Sequence, residues 1–266
     1  MEVRNAGSLQ GDIPLEAVCG AVLGKPSRRG KLLLLPFSGS GFPENSGQAG
    51  RKNESVSDSD HRLLGLGIHL KMTGRIFVYP AGTEPEKHTR VIFELDNGKG
   101  IFFDDARKFG HMRVLTPRVL HQWAFWNCLG PEPLEIDANT FAERFINRGG
   151  TIKSLLLDQG VIAGCGNIYA DESLFRAGIR PDARQLQVGR LFRLHDALQA
   201  VLAEAIAACG SSIRDYRTAQ GDVGAFQNCF NVYGRAGKSC IQCGTILQKC
   251  RIAGRTSVFC PHCQEL

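Results

Sequence analysis

The sequence lacks long hydrophobic segments, and no run approaches the roughly 18 apolar residues that a membrane-spanning helix needs. The N-terminus also lacks the pattern of a secretory signal peptide. Outside one C-terminal cluster, the cysteines show no paired disulfide framework; they stand at positions 19, 128, 165, 209, 229 and 250. These absences argue against a helical membrane protein and a disulfide-rich secreted domain, and they predict a protein of the reducing cytoplasm with no membrane partner.

The charge balance is mildly basic, because 32 Lys and Arg residues face 26 Asp and Glu residues and give a net charge of +6. This surplus suits a polyanionic partner, although many ordinary proteins share it. With 266 residues, 43% of them hydrophobic, the chain can bury a core and form two modest domains or one large one.

The C-terminal region contains two Cys-x-x-Cys pairs, Cys240 with Cys243 and Cys260 with Cys263. Two such pairs, separated by a segment long enough for a β-hairpin, are typical of a tetrahedral zinc site. A pair of disulfides is the alternative. All four ligands are cysteines, so the zinc would be structural. The intervening residues 249–255 are basic, which favours a nucleic-acid contact at the hairpin tip.

The N-terminal half is rich in predicted strands. Short apolar runs occupy residues 31–35, 66–71, 90–95 and 100–103. The segment Asp96-Asn-Gly-Lys99 predicts a tight hairpin, since Asn-Gly supplies positive φ angles. Residues 38–61 contain mostly small, polar and charged residues, which predicts a disordered insertion between strands. Its Arg51-Lys52 pair has two interpretations, a nucleic-acid contact or a solvated loop.

The middle of the chain is predicted to be helical. Apolar residues recur near every 3.6 positions in four segments: 138–148, 152–157, 168–177 and 186–209. Glycines interrupt these segments, and Gly210 is predicted to end the last helix.

The segment from Gln159 to Glu172, Gln-Gly-Val-Ile-Ala-Gly-Cys-Gly-Asn-Ile-Tyr-Ala-Asp-Glu, resembles the helix–two-turn–helix of the formamidopyrimidine-DNA glycosylase and endonuclease VIII family. The resemblance covers nearly the whole chain from Val3 except residues 38–61. It is carried by these further motifs: Arg28-Arg-Gly-Lys31, His69-Leu-Lys-Met-Thr-Gly74, Asp105-Ala-Arg-Lys-Phe-Gly110, Leu129-Gly-Pro-Glu-Pro-Leu134, Phe226-Gln-Asn228, Val232-Tyr-Gly-Arg235 and the four cysteines.

The resemblance assigns phosphate binding to the glycine-rich turn. Gly164 and Gly166 allow a close backbone approach, and Asn167 begins a helix whose free N–H groups favour a phosphate. The family uses this turn, with Lys153 just before it, to hold the phosphates beside the lesion. A helix cap with glycines for tight packing is the alternative interpretation.

The resemblance also assigns Met72, Arg107 and Phe109 to the space left by an extruded base. An enzyme that acts on a base must take it out of the stack, and other groups must fill the gap. A flexible apolar chain, a planar cation and an aromatic ring suit that task. Arg107 would face the opposite cytosine. Without the family pattern, Met72 and Phe109 would be candidate core residues. Lys108 replaces the arginine more usual in the family.

Three further residues match functional positions of the family. Lys31 matches the lysine that binds phosphate near the extruded nucleotide and assists β-elimination, and His88 matches a DNA-contacting position. Arg255 matches the arginine that holds the abasic-site phosphates and is tied to δ-elimination; a solvated hairpin arginine is the alternative. Residues 212–227 resemble the loop that closes over an oxidised purine. This resemblance favours the formamidopyrimidine-DNA glycosylase branch of the family over the endonuclease VIII branch.

The family's nucleophile is an N-terminal proline, followed by a glutamate that helps to protonate the sugar. This sequence begins Met1-Glu2-Val3, and its first proline is Pro14. Aligned on the downstream pattern, Glu2 does not match the catalytic glutamate. One expectation is that the true start lies upstream of Met1. The other is a genuine short protein that binds damaged DNA without cutting it, or cuts through a substitute amine of Lys31 or Met1.

The sequence therefore predicts an α+β protein with three parts: a β-sandwich domain at residues 1–116, a helical domain with the helix–two-turn–helix at 117–228, and a zinc ribbon at 229–266. The resemblance implies a bifunctional DNA glycosylase and abasic-site lyase of base-excision repair, acting on 8-oxoguanine and formamidopyrimidine. It further implies one structural zinc ion, double-stranded damaged DNA as partner, a monomer, and a place in the bacterial cytoplasm at the nucleoid. The alternatives are a catalytically dead zinc-dependent DNA-binding protein and an endonuclease VIII-like pyrimidine glycosylase.

Overall fold

The computed structural model describes residues 2–4, 9–11, 13–37, 62–211 and 224–266, which pack into two units. The first unit lies within Met1–Asn127, and the second combines Cys128–Ser211 with Ala225–Leu266. The predicted insertion at residues 38–61 lies outside the described residues, as do residues 212–223.

The first unit is built from antiparallel strands. In chain order they are β1 (Glu2–Val3), β2 (Ser27–Arg29), β3 (Leu32–Pro36), β4 (Gly65–His69), β5 (Gly74–Pro80), β6 (Thr89–Glu94), β7 (Lys99–Asp105) and β8 (His111–Leu115). They form two four-stranded sheets with the strand orders β1-β6-β7-β5 and β2-β3-β4-β8. The predicted strands are thus present, in two sheets.

The core of the first unit lies between the two sheets. Leu66 and Ile68 of β4 share one buried cluster with Val91 and Phe93 of β6. Successive side chains of a strand point to opposite faces, so Ile92 lies in a separate buried cluster on the other face of its sheet. Burial on both faces explains why β6 shows a continuous apolar run rather than an alternating pattern.

Two short helices that the sequence pattern did not predict complete the first unit. They are α1 (Pro117–Gln122) and α2 (Ala124–Asn127). The Thr116 hydroxyl caps α1 by accepting a hydrogen bond from the Val119 N–H. Leu120 and Trp126 then pack with Leu32 in a third buried cluster. The two helices therefore belong to the first unit, whose segment ends at Asn127. The predicted division into three parts, at residues 1–116, 117–228 and 229–266, stays a prediction.

The predicted hairpin joins β6 to β7, but only part of its turn chemistry was predicted correctly. Gly98 has a φ of 74°, whereas Asn97 keeps a negative φ. Asn97 stabilises the turn through its side chain, because Oδ1 accepts a hydrogen bond from the Lys99 N–H at 3.2 Å. The Leu95 N–H closes the hairpin on the Lys99 carbonyl at 2.8 Å.

The second unit contains the four predicted helices. They are α3 (Ala138–Phe145), α4 (Ile152–Leu157), α5 (Asn167–Arg176) and α6 (Val188–Ala207). The first ends earlier than predicted, and Asn147 shortly after it has a φ of 59°. Gly210 ends α6 as predicted, with a φ of 82° and its N–H donating to the Ala205 carbonyl at 2.7 Å.

The C-terminal hairpin packs against the helices. Its strands are β9 (Gln248–Ile252) and β10 (Arg255–Phe259). Phe175 of α5 shares a buried cluster with Val258 of β10 and Val232. The ribbon is therefore part of the second unit, and the predicted α+β class is confirmed. No helix in the described part of the chain combines the length and the hydrophobicity needed to cross a membrane.

Candidate nucleic-acid interface and zinc site

Met72 lies in the tight turn that precedes β5. The Gly74 N–H donates to the Leu70 carbonyl at 2.9 Å, and Lys71 has a φ of 53°. A Cβ atom on Gly74 would lie 2.4 Å from the Leu70 oxygen, so only glycine fits this position. The turn leaves 58% of the Met72 side chain exposed. An exposed methionine in a constrained turn suits a contact with a partner better than a core role.

Arg107 and Phe109 lie in the turn after β7, and Arg107 contacts both Phe109 and Met72. The Arg107 guanidinium carbon lies 4.7 Å from the centre of the Phe109 ring, and its Nη1 lies 3.3 Å from the Met72 sulfur. Lys108 between them has a φ of 60°, and Phe109 is 53% exposed. The structure thus brings the three predicted residues into one exposed group, which we call the insertion cluster (Met72, Arg107 and Phe109).

His88 lies in the loop before β6 and is half-buried. Its carbonyl accepts a hydrogen bond from the Asp105 N–H at 3.0 Å, just before the turn that carries Arg107. The sequence pattern gave Asp105 no role, although an aspartate at the start of a turn is a known turn signal.

Lys31 is exposed in the turn between β2 and β3, next to Gly30 with a φ of 54°. It belongs to a cationic surface around His69. Burial, together with the charges of Lys71, His111 and Lys31, lowers the pKa of His69 to about 4. His69 is therefore neutral at physiological pH, which allows its Nδ1 to accept a hydrogen bond from the Lys71 N–H at 3.0 Å.

Lys153 in α4 is fully buried, and its charge faces an acid on the next helix. Its Nζ lies 2.5 Å from Oδ1 of Asp171, and both side chains have no exposed surface. The same Nζ donates to the Thr256 carbonyl at 3.3 Å. Burial raises the pKa of Asp171 to about 6 and lowers the pKa of Lys153, while each charge opposes the shift of its partner. The short distance between the two groups favours the ionised pair, and the lysine Nζ is directed inwards.

Asn167 is the first residue of α5, and no side chain caps this helix end. Its Nδ2 donates to the Thr256 carbonyl at 3.2 Å, the same oxygen that Lys153 contacts. Gln159 shapes the preceding turn, because its Oε1 accepts from the Gly164 N–H and its Nε2 donates to the Cys165 carbonyl, both at 3.0 Å. The uncapped N–H groups of α5 remain suited to an anion.

Arg255 is exposed and begins β10, after a turn in which Ala253 and Gly254 have φ angles of 48° and 73°. Lys249 and Arg251 on β9 are also exposed, so the hairpin presents a basic surface. Arg255 directly precedes Thr256, whose carbonyl is held by Lys153 and Asn167. The structure thereby places three predicted residues (Lys153, Asn167 and Arg255) around one backbone position.

Glu172 is a second buried acid that the sequence pattern missed. Its carboxylate accepts hydrogen bonds from the backbone N–H groups of Asn231, Val232 and Tyr233, with distances from 2.8 to 3.1 Å. The neighbouring Asp171 accepts from the Val258 N–H at 3.1 Å. Two adjacent acids of α5 thus hold two segments of the C-terminal region. A consecutive Asp-Glu pair within a helix that is largely buried was the available signal.

The predicted lesion-closing loop, residues 212–227, lies mostly outside the described residues. Its described end is the short 3-10 helix Phe226–Cys229, in which Phe226 is buried against Val201 and Ala205 of α6.

The four predicted metal ligands come together. The sulfur atoms of Cys240, Cys243, Cys260 and Cys263 all lie within 4.8 Å of one another. The Cys240–Cys263 and Cys243–Cys260 sulfur distances are 3.9 and 3.5 Å, close to the roughly 3.8 Å separation of a tetrahedral site with zinc–sulfur bonds of about 2.3 Å. Hydrogen bonds from Thr245 lower the pKa of Cys243 to about 6, whereas burial raises the pKa values of Cys260 and Cys263.

Three family models match the chain. The formamidopyrimidine-DNA glycosylase N-terminal domain matches residues 2–112, and the formamidopyrimidine-DNA glycosylase H2TH domain matches residues 129–217. The zinc finger found in FPG and IleRS matches residues 237–266. The match and the sulfur geometry together identify the four cysteines as ligands of one structural zinc ion.

Two bacterial relatives show substantial identity. The formamidopyrimidine-DNA glycosylase of Nitratidesulfovibrio vulgaris is 59% identical over 230 residues, which cover 86% of this chain and 63% of that protein. The formamidopyrimidine-DNA glycosylase of Desulfitobacterium hafniense is 46% identical over 200 residues, which cover 74% of this chain and 73% of the relative. The match to the first relative thus spans less than two thirds of that protein's length.

Solved structures of a Lactococcus lactis protein share the fold. A variant of Lactococcus lactis FPG in complex with Fapy-dG-containing DNA matches with a TM-score of 0.82 and 30% identity, over 100% of this chain and 91% of that one. A complex of Lactococcus lactis Fpg with DNA containing an abasic site matches with a TM-score of 0.77 and 32% identity, over 93% and 83% of the two chains. Sequence identity, matched domains and common fold show that this chain belongs to the formamidopyrimidine-DNA glycosylase family.

Proposed function

We propose that this protein acts in base-excision repair, as a DNA glycosylase and abasic-site lyase that binds damaged double-stranded DNA. The insertion cluster is the observation that carries the proposal. Two exposed apolar side chains on two constrained turns, each in contact with the same guanidinium, have the chemistry needed to fill a gap in a base stack. In this role Met72 and Phe109 occupy the space of the extruded base, and Arg107 hydrogen-bonds to its orphaned partner, a cytosine.

Phosphate binding is assigned to the second unit. The uncapped start of α5 at Asn167 offers backbone N–H groups, and Arg255 offers an exposed guanidinium on the zinc hairpin. Lys153 contributes from inside, because its ammonium holds the Thr256 carbonyl next to Arg255. In this proposal the zinc ion keeps the hairpin folded, and the protein side chains contact the DNA.

The lyase step and its DNA contacts are assigned to three side chains by the family positions that they match. Lys31 is exposed beside a neutral His69 and holds a backbone phosphate during β-elimination. His88 contacts the DNA backbone from the loop that Asp105 holds. Arg255 binds the phosphates that leave in δ-elimination. These assignments follow the family positions that the three residues match.

Oxidised purines are the proposed lesions. Fapy-dG is a ring-opened purine, and the similar Lactococcus lactis structure is a complex with DNA that contains it. A second complex contains an abasic site, the intermediate on which a lyase acts. A panel of duplexes with 8-oxoguanine, formamidopyrimidine or oxidised pyrimidines distinguishes this proposal from a pyrimidine glycosylase of the endonuclease VIII type.

The decisive experiment is borohydride trapping of the 266-residue chain on 8-oxoguanine and abasic duplexes, with binding measured in parallel. A covalent adduct would mean that an amine of this chain, most directly that of Lys31 or Met1, attacks C1′ in place of the family's proline and forms an imine that borohydride reduces. Peptide mapping would then identify the amine. Specific binding without an adduct would mean that recognition survives without the nucleophile, so that the function belongs either to a longer protein or to a silent reader of damaged DNA. Equal affinity for damaged and intact duplexes would refute both functions.

A further inference from the structure

Asp105 lies where the two turns of the insertion cluster meet. It is the last residue of β7 and pairs with Gly74, the first residue of β5. The Met72 turn ends at Gly74, and the Arg107 turn begins directly after Asp105. The Asp105 side chain is completely buried, so its carboxylate lies beneath the exposed cluster.

The carboxylate of Asp105 contacts both turns. Its Oδ1 accepts hydrogen bonds from the Thr73 hydroxyl and from the Arg107 N–H, the latter at 3.2 Å. Its Oδ2 accepts from the Gly110 N–H at 2.7 Å. The Arg107 N–H also lies 3.3 Å from the Thr73 hydroxyl oxygen, so these residues form one closed network.

The backbone of Asp105 extends the network to the loop that carries His88. Its N–H donates to the His88 carbonyl at 3.0 Å, and its own carbonyl accepts from Nε of Arg90 at 2.8 Å. One buried residue is therefore bonded to the loops that carry Met72, Arg107 and His88, which are three of the four loops with predicted DNA contacts in the first unit.

We propose that Asp105, acting with Thr73, is a positioning residue that sets the geometry of the insertion cluster for lesion recognition. Lys71 and Lys108 adopt left-handed conformations beside Met72 and Phe109, and such conformations persist only where the surroundings enforce them. The Asp105 carboxylate, which accepts three hydrogen bonds from the two turns, is in a position to enforce them. The inference rests on the proposed function, because it assumes that the cluster enters DNA.

Thr73 provides the sharpest test, since Thr73→Val removes the hydroxyl at nearly constant shape and Thr73→Ser keeps it. The matched control is Thr83→Val, which removes an exposed threonine hydroxyl that donates to the Pro80 carbonyl in the same unit. Asp105→Asn is the second variant. Whichever way the amide is turned, its NH2 group faces the N–H of either Gly110 or Arg107, so one backbone donor loses its acceptor.

The first readout uses the full chain without DNA. Hydrogen exchange of either the Arg107 or the Gly110 amide, whichever faces the new NH2 group, should become about tenfold faster in Asp105→Asn, because its bond to a carboxylate oxygen is lost. Thr73→Val should accelerate exchange at Arg107, whereas Thr73→Ser and Thr83→Val should match the wild type. Unchanged exchange in both Asp105→Asn and Thr73→Val would overturn the positioning role.

The second readout is affinity for a duplex with a tetrahydrofuran abasic analogue relative to an intact duplex. Thr73→Val should lower this preference about tenfold with little change in affinity for intact DNA, and Thr73→Ser should restore it. If the wild type clearly prefers the abasic duplex and Thr73→Val and Asp105→Asn keep the full preference, the inference about Asp105 is overturned while the proposed function stands. A wild type with no preference would overturn the proposed function, and hydrogen exchange would still decide whether Asp105 holds the turns.

Discussion

The ammonium of Lys153 lies 2.5 Å from the Asp171 carboxylate, and neither side chain has any exposed surface. This ion pair connects α4 to α5. Each partner also bonds to β10, since Lys153 donates to the Thr256 carbonyl and Asp171 accepts from the Val258 N–H. The helices and the zinc hairpin are therefore linked through one buried pair of charges.

We predict that Asp171→Asn lowers the free energy of unfolding by about 3 kcal/mol, because it leaves a buried ammonium without its counter-charge. The control is Glu204→Gln, which breaks the partly exposed Arg176–Glu204 pair and should cost less than about 1 kcal/mol. Urea unfolding of the zinc-loaded protein measures both. Similar small losses in the two variants would show that the buried pair adds no more stability than a surface pair.

Replacing one zinc ligand should unfold the ribbon. Cys243→Ser removes one of four thiolates, and the hairpin core around Val258 and Phe175 depends on the metal to close it. We expect loss of the stoichiometric zinc and weaker binding to abasic DNA. Cys250→Ser is the control, since Cys250 lies in the same hairpin outside the four-sulfur group. Unchanged zinc content and DNA affinity in Cys243→Ser would contradict the prediction.

Truncation of the insertion cluster should affect recognition more than folding. Met72→Ala and Phe109→Ala remove side chains that are more than half exposed, so we expect changes in unfolding free energy within about 0.5 kcal/mol. Preference for an abasic over an intact duplex should fall about tenfold, as expected for the loss of a stacking contact. Val78→Ala, at an exposed apolar position of β5, should leave the preference intact. Equal behaviour of all three variants in fluorescence anisotropy would rule out insertion.

The affinity for DNA should fall steeply with salt concentration, because phosphate contacts release counterions. Arg255→Ala should reduce the slope of log affinity against log salt by about 1, as expected for one lost phosphate contact. Arg193→Ala, at an exposed position of α6, should keep the wild-type slope. A wild-type affinity that stays flat between low and physiological salt would refute the proposed phosphate contacts.

The stability of the protein should fall between pH 7 and pH 5 partly because of His69. Its pKa is about 4 in the folded state and 6.5 ordinarily, so the unfolded chain binds more protons in this range. The contribution of His69 to the free energy of unfolding is therefore fully present above pH 6.5 and is lost as the pH falls towards 4. Because His69 is partly accessible to solvent, we expect a moderate effect. Between pH 7 and pH 5, the free energy of unfolding of His69→Gln should fall by about 1 kcal/mol less than that of the wild type.

The control for this measurement is His121→Gln, since His121 is exposed on α1. Its unfolding free energy should follow the wild-type curve across the same pH range. Parallel curves for His69→Gln and the wild type would show that His69 is not held neutral in the folded protein.

Local sequence signals predicted the elements well where they were strong. Helical periodicity located α3 to α6, and the two Cys-x-x-Cys pairs located the zinc ligands. Periodicity missed α1 and α2 because each spans too few residues to repeat an apolar face, and their role depends on contacts with Leu32 from a distant strand. The turn at Asn97 was also predicted only in part. Asn97 does not adopt the expected positive φ and instead stabilises the turn through a side-chain hydrogen bond.

The candidate site was predictable only in part. Exposed residues such as Met72 and Arg255 stand in recognisable motifs. The buried residues Asp105, Asp171 and Glu172 stand in recognisable motifs too, but their roles were not predictable because they act through contacts with residues far away in the chain. The orientation of Lys153 also depends on Asp171, 18 positions later. A basic residue near a phosphate-binding motif therefore predicts a positive charge at the site. The direction in which its side chain points depends on packing with residues elsewhere in the chain.

Lys71 and Lys108 hold left-handed backbone conformations directly beside Met72 and Phe109. The two turns are therefore shaped when the chain folds, before any duplex is encountered. Ordering of these turns then adds no step to association, and the rate of complex formation should be governed by diffusion, charge and the opening of the base stack. Under the proposed function, a preformed wedge of this kind would test each base step by its resistance to being parted, so weakly stacked positions would delay the protein longer than sound ones.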